Sequence, residues 1–291
     1  MNIGLIDVDG HNFPNLALMK ISAYHKKLGD NVEFVNLFNE YDKVYQSKVF
    51  TFTDDFDYNI KTKEVVKGGT GYDLKNNLPK EIENIYPDYE LYPQYKEAYG
   101  FLSRGCPRGC PFCIVGKKEG LKGYKVANLE QFWKGQKQIK LLDPNLLAVK
   151  ENEELLQQLI DSKAWVDITQ GLDARLLTEQ NTELISKLKL KMVHFAWDMM
   201  GQSELIIKNL KKFKEITNIN YRKARVYVLV NYNTTQEEDF FRIYKLKELG
   251  YDPFVMIFEK WNASKEIKRM ARWVNNKFIF RVCEKFEDYK T

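Results

Sequence analysis

Three of the four cysteines in this 291-residue chain fall within eight positions, in the run Gly105-Cys106-Pro107-Arg108-Gly109-Cys110-Pro111-Phe112-Cys113, and the fourth, Cys283, stands near the C-terminus. A disulfide framework would use an even set in a smaller, exported chain. Thiolates at C-x3-C-x2-C spacing suit a soft metal, either zinc or an iron–sulfur cluster. Structural zinc takes four ligands, usually as two knuckles some way apart. With three histidines in the whole chain no His pair completes such a set, so Cys283 or His194 would have to serve from a distance. Three thiolates on a four-iron cluster instead leave one iron open to another ligand.

Such a loop needs a scaffold. From Tyr99 on, apolar runs at Ile139–Leu142, Trp165–Ile168, Met192–Trp197, Arg225–Val230 and Phe254–Phe258 alternate with helical segments. The helices are expected at about 151–162, 179–189, 203–216 and 236–249, the second behind Thr178 and the last behind a Thr235-x-x-Glu238 capping box. Repeating strand–helix units predict parallel strands with right-handed crossovers. With the strand just before Cys106 there are six units, so the fold class is α/β, a partial (β/α)6 TIM-like barrel over residues 99–260. In such a barrel chemistry gathers where strands end. The polar residues placed there are Asp143, Asn145, Gln170, Asp173, Arg175, Asp198, Asn231 to Asn233, and Glu259. Helix capping and turn formation account for about half of the polar residues at these strand ends, Asn233 and Thr234 first among them.

Residues 1–73 read as a small α/β cap. Ile3–Ile6 is a strand, Asp7 to Asn12 a polar loop, and Pro14 opens a helix whose Ala17, Ile21, Tyr24 and Leu28 share one face. Gly29-Asp30 ends it, strands follow at Asn31–Asn36 and Tyr45–Phe52, and Gly68 to Gly71 is a loop. Residues 74–98 form a connector. Residues 261–291 are a C-terminal extension with a helix around Ser264–Val274 and a short apolar strand at Phe278–Val282. His25 and His194 read as structural.

Composition frames this. Hydrophobic residues at 44% and charged residues at 29% fit a globular chain and exclude a mostly disordered one. A net charge of +5 permits contact with nucleic acid but does not argue for it. No apolar run approaches the roughly 20 residues that span a bilayer, and no secretory signal is expected from the opening residues. The expected setting is the cytoplasm, with no membrane partner.

The cysteine run, with the aromatic Phe112 just before its last cysteine and its place after the first strand of a six-unit α/β array, resembles the radical S-adenosylmethionine enzymes over about residues 99–260. The resemblance implies that Cys106, Cys110 and Cys113 hold a [4Fe–4S] cluster whose open iron binds the amino and carboxyl groups of S-adenosylmethionine. One electron, from a donor such as flavodoxin or ferredoxin, then cleaves the sulfonium and yields a 5′-deoxyadenosyl radical that takes hydrogen from substrate. It also implies that Phe112 packs near the adenine, and that Asp143, Asn145, Gln170, Arg175 and Asp198 contact the methionine and ribose. The family often carries a Gly-Gly-Glu run after the second strand; this chain has Asp143-Pro144-Asn145 there.

Residues 1–73 are similar to a shortened cobalamin-binding domain, but the first loop does not give the family's Asp-x-His-x-x-Gly pattern, so no cobalamin is expected. The cap is expected to close the barrel mouth and to hold substrate through Asp7, Asp9, His11 and Asn12. A methylthiolating member would need three further cysteines upstream, and none precedes Cys106. The compact chain, shortened cap and single cluster most resemble the queuine lyase type, which implies release of 7-aminomethyl-7-deazaguanine from queuine for queuosine salvage. A 7-deazapurine base would want carboxylate acceptors, for which Asp7, Asp9, Asp173 and Glu259 are the candidates. The competing readings are a radical modifier of a peptide or nucleic acid, cobalamin-dependent methylation included, and a zinc-stabilised nucleic-acid-binding module. With no dedicated nucleic-acid-binding domain, a small-molecule substrate is the expected partner.

Overall fold

The computed structural model describes residues 1–10 and 13–290. It contains two main sheets, both wholly parallel. The first has four strands, β1 (Asn2–Asp7), β2 (Asn31–Phe34), β3 (Lys43–Ser47) and β4 (Val65–Gly68), in the order β2-β1-β3-β4. The fourth strand occupies the end of a stretch with no alternation in the sequence, and was not expected.

Helix α1 (Leu16–Lys27) covers this sheet. It begins two residues after the expected Pro14 position because Asn15 caps it, its side chain accepting from the Leu18 amide. The Asn15 amide group also donates to Ser47 Oγ at 2.9 Å and Asp7 Oδ1 at 3.3 Å, tying the helix start to the ends of β1 and β3. The buried residues are Leu18, Met19, Ile21, Ser22 and His25 rather than Ala17, Ile21, Tyr24 and Leu28. Leu28 lies beyond the last helical residue and is exposed. Leu18 and Ile21 pack with Ile3, Leu5 and Ile82 into a small core of their own.

The second sheet carries the cysteine loop. Its six strands are β5 (Ala98–Gly100), β6 (Gln138–Leu141), β7 (Trp165–Leu172), β8 (Lys189–Ala196), β9 (Ala224–Val230) and β10 (Asp252–Ile257), paired in sequential order. The intervening helices are α2 (Asn152–Ser162), α3 (Glu179–Lys187), α4 (Ser203–Thr217) and α5 (Gln236–Glu248). Thr178 and Thr235 cap α3 and α5 as the sequence predicts, each in a capping box. Val166, Ile168, Val193, Phe195, Val226 and Val228 are buried in one continuous core with Leu155, Leu159, Ile185, Leu210 and Ile243 from the helices. Apolar residues from several strands and helices thus remove each other from water, the main stabilising term for such a sheet. β7 runs four residues beyond the expected end at Ile168, with a register shift between Ile168 and Leu172.

At each edge of this sheet a side chain engages an outward-facing backbone position. At β5 the Tyr89 hydroxyl accepts from the Tyr99 amide at 3.0 Å and donates to the Phe132 carbonyl at 2.6 Å. At β10 the Asn275 carboxamide takes both the Val255 N–H (2.8 Å) and the Val255 carbonyl (2.9 Å). Asn275 ends helix α6 (Lys265–Asn275), whose Met270, Trp273 and Val274 are buried.

The expected strand at Phe278–Val282 is instead a helix, α7 (Lys277–Val282). Asn276 starts it, its side chain accepting from the amides of Phe278 and Ile279. Phe280 is buried, 4.8 Å from Trp273, and Ile279 packs partly buried against the same core, while Phe278 and Val282, four apart, share the outer side. No helix among the described residues is long and apolar enough to cross a membrane.

Candidate functional site

The cysteines lie on the loop that leaves the C-terminal end of β5. Ser103–Arg104 and Tyr124–Lys125 pair antiparallel at its base. Above them Glu119, in a short helix at Val115–Glu119, accepts from Arg104 Nη1 at 2.6 Å and from the Gly105 amide at 2.9 Å. Gly105 sits at φ +77, where a Cβ would lie 2.2 Å from the Lys122 carbonyl oxygen, so only glycine lets the loop close. The Cys113 amide donates to the Cys110 carbonyl at 2.9 Å, forming the turn that brings the last two cysteines round. All three thiols are free and half-buried. Burial pushes the Cys110 thiol up, and the nearby Asp198 carboxyl, Cys113 and Cys106 add to this.

Two carboxylates hold the loop from below. Asp143, buried at the end of β6, accepts from the Leu102 and Ser103 amides and from the Ser103 hydroxyl at 2.6 Å. Burial raises its carboxyl to about 6 against the pull of those bonds. Asp173, at the end of β7, accepts from the Arg108 guanidinium, and from Arg175 Nε at 2.6 Å, Nη2 at 3.2 Å and the amide at 3.1 Å. Arg108 stands between Cys106 and Cys110, so this contact staples the loop to β7. Arg175 also donates to Gln202 at 3.1 Å.

Asn145 is 2% exposed and donates from Nδ2 to Cys106 Sγ at 3.5 Å, while its Oδ1 has no partner among the described residues. Phe112 packs edge-on to Tyr232 (5.1 Å), which packs in turn on Phe258 (4.8 Å), docking the loop onto the segments after β9 and β10. Cys110, Arg175, Asp198, Met199 and Gln202 line a cleft of about 100 Å³. Burial raises the Asp198 carboxyl there, opposed by a backbone hydrogen bond from Leu229. A larger cavity of about 490 Å³, between α1 and the end of β5, is lined by Lys20, Glu83, Phe101 and Arg104 but by none of the thiols.

The cysteines, Asn145, Arg175, Asp173 and Asp198 are thus brought together. Other expected site residues are not. Gln170 is exposed on β7. Glu259 is exposed in a turn at φ +45, accepting from Asn262 Nδ2 at 3.4 Å. Asp7 accepts from Tyr92 Oη at 2.7 Å and from Asn15. Asp9 accepts from the Val49 and Phe50 amides and the Thr53 hydroxyl, closing the loop after β3. His11 and Asn12 lie outside the described residues.

His194 is held by the Ile168 carbonyl (2.7 Å) and stacks on Tyr227, and Cys283 donates to the Lys285 carbonyl. Among the described residues no three His, Cys, Asp or Glu side chains gather at the position of a single metal ion. Arg108, Glu119 and Ser103 are site residues beyond those the sequence points to, and of these Arg108 alone gives a signal, by standing inside the cysteine run.

No protein-family profile and no curated protein matches the chain. Among solved structures, one of Streptococcus suis SuiB bound to S-adenosylmethionine is similar at 13% identity and a TM-score of 0.46. The match covers 65% of this chain and 48% of that one, so the chain spans about half the length of that structure. At that score the likeness carries no weight for fold or chemistry.

Proposed function

We propose that the chain is a radical S-adenosylmethionine enzyme. The observation that carries this is the three free thiols of Cys106, Cys110 and Cys113 on one braced loop at the C-terminal end of a parallel strand, beside a cleft lined by Cys110, Arg175 and Asp198. The donor set fits a [4Fe–4S] cluster in its chemistry: soft sulfur ligands, with a carboxamide donor directed at Cys106 Sγ. With S-adenosylmethionine bound, such a cluster supplies reductive cleavage of the sulfonium to a 5′-deoxyadenosyl radical. Arg175 and Asp198 offer one donor and one acceptor beside it, and the unpartnered Oδ1 of Asn145 can accept an N–H. Asp143 and Asp173 act as positioning residues for the loop.

For the reaction itself we propose the queuine lyase type on a small heteroaromatic substrate, from the sequence resemblance. All four carboxylates expected to read the base, Asp7, Asp9, Asp173 and Glu259, accept from internal partners, Glu259 by the longest of these bonds at 3.4 Å. Anaerobic reconstitution tests the class. The wild-type chain should turn brown and cleave S-adenosylmethionine; Cys106→Ala, Cys110→Ala and Cys113→Ala should do neither, and Cys283→Ala should do both. A colourless zinc protein overturns the proposal. A product assay over a panel of 7-deazapurines tests the substrate, and turnover of none of them removes the lyase reading.

A further inference from the structure

We infer that Asn145 sets the reduction potential of the cluster, through a hydrogen bond from its side-chain amide to the sulfur of Cys106. The inference rests on the cluster proposed above. Nδ2 stands 3.5 Å from Cys106 Sγ, and the side chain is 2% exposed, so little water competes for either atom. A cysteine sulfur bound to iron is an acceptor only, so the amide must present its N–H₂ group to it; with this orientation the other terminal atom, Oδ1, is left without a partner among the described residues. Among the described residues the donor end is the end that meets a partner, Cys106 Sγ, while Oδ1 stays open to a bound ligand, which indicates that the donor end is what the chain itself positions. Asn145 adds no side-chain cap to the short helix that follows it, so local backbone capping does not explain the residue.

A hydrogen bond to a cluster sulfur stabilises negative charge, and the reduced cluster carries one electron more than the oxidised one. The bond is therefore stronger in the reduced state and raises the potential. Low dielectric in a buried site strengthens the effect. Asn145 acts through Cys106, as a positioning and tuning residue, and takes no part in bond breaking.

The test is an EPR-monitored potentiometric titration of the anaerobically reconstituted wild-type chain, Asn145→Leu and Asn145→Asp, each checked for iron and sulfide content. Both variants remove the donor at similar size, and Asn145→Asp also adds negative charge. The expected result is a full complement of iron, a potential more negative in Asn145→Leu, and one more negative still in Asn145→Asp. An exchangeable-proton coupling in the pulsed EPR spectrum of the reduced wild type should disappear in Asn145→Leu. Unchanged potentials in iron-loaded variants overturn the inference. Failure of both variants to take up iron also overturns it, since the residue then builds the site instead of tuning it. A wild-type chain that assembles no cluster refutes the proposed function instead, which separates the two failures.

Discussion

Replacing Asp173 by Asn should loosen the cysteine loop without disturbing the end of β7. Oδ1 of Asp173 accepts from the Arg175 amide and Nε, and an Asn keeps that acceptor. Oδ2 accepts from Arg108 and from Arg175 Nη2, and in Asn that position becomes an NH₂ group facing two guanidinium donors. Hydrogen bonds to charged groups contribute ~1.5–3 kcal/mol, and the 27% exposure of the Arg108 side chain discounts the ion-pair part. About 2 kcal/mol for the staple corresponds to a roughly 30-fold loss in the population of the closed loop. Amide hydrogen exchange over residues 106–113 should speed up by about that factor, if the loop opens locally. Iron uptake at limiting iron should weaken by up to the same amount. Arg108→Gln should reproduce both effects, and the double variant should add little to either single change. Unchanged exchange and normal iron uptake in Asp173→Asn would refute the staple.

Three further outcomes follow from charges held by internal partners. Because burial raises the Asp143 carboxyl from 3.8 to about 6, its contribution to stability is fully present below the unfolded value and is lost as pH rises through about 6; from pH 7.5 to 5 the wild type should gain roughly 1–2 kcal/mol in unfolding free energy relative to Asp143→Asn, and a constant difference refutes this. Arg242 is fully buried and donates to Asp239 and to the Trp197 and Leu229 carbonyls, so Arg242→Ala should cost about 3–5 kcal/mol by leaving Asp239 unpaired; a loss under ~1 kcal/mol by thermal or denaturant unfolding contradicts the assignment. Asp9→Ala should expose the loop at 49–53 to limited proteolysis while leaving substrate-free S-adenosylmethionine cleavage intact, and a loop that stays protected would free this carboxylate for substrate.

What was legible in the sequence was whatever local pattern dictates. The six strands of the second sheet and their helices repeat a strand–helix period, and the Thr178 and Thr235 caps are short-range chemistry, so both appear where expected. The Phe278–Val282 segment misled because five apolar-rich residues fit either period, and the deciding feature is the cap at Asn276. The carboxylates were harder for a different reason. Asp7, Asp9 and Asp173 look like open acceptors in the sequence, but their partners lie 85, 44 and 65 positions away at Tyr92, Thr53 and Arg108. Nothing local announces such a pairing. The cysteine loop stood out because its chemistry is written within eight residues.

The two edges of the six-stranded sheet bear on how this protein behaves in a crowded solution. An open parallel sheet offers two rows of unpaired peptide groups, and each can recruit a strand from another molecule. Here a phenol at β5 and a carboxamide at β10 stand in for the missing neighbours. The carboxamide supplies both an acceptor and a donor to Val255, as a peptide group would, and the phenol supplies an acceptor to Tyr99, yet neither can be extended into a further strand. Loss of Tyr89 or Asn275 would therefore be felt less in the cysteine loop than in colloidal behaviour, as a chain that still folds but aggregates through its sheet edges.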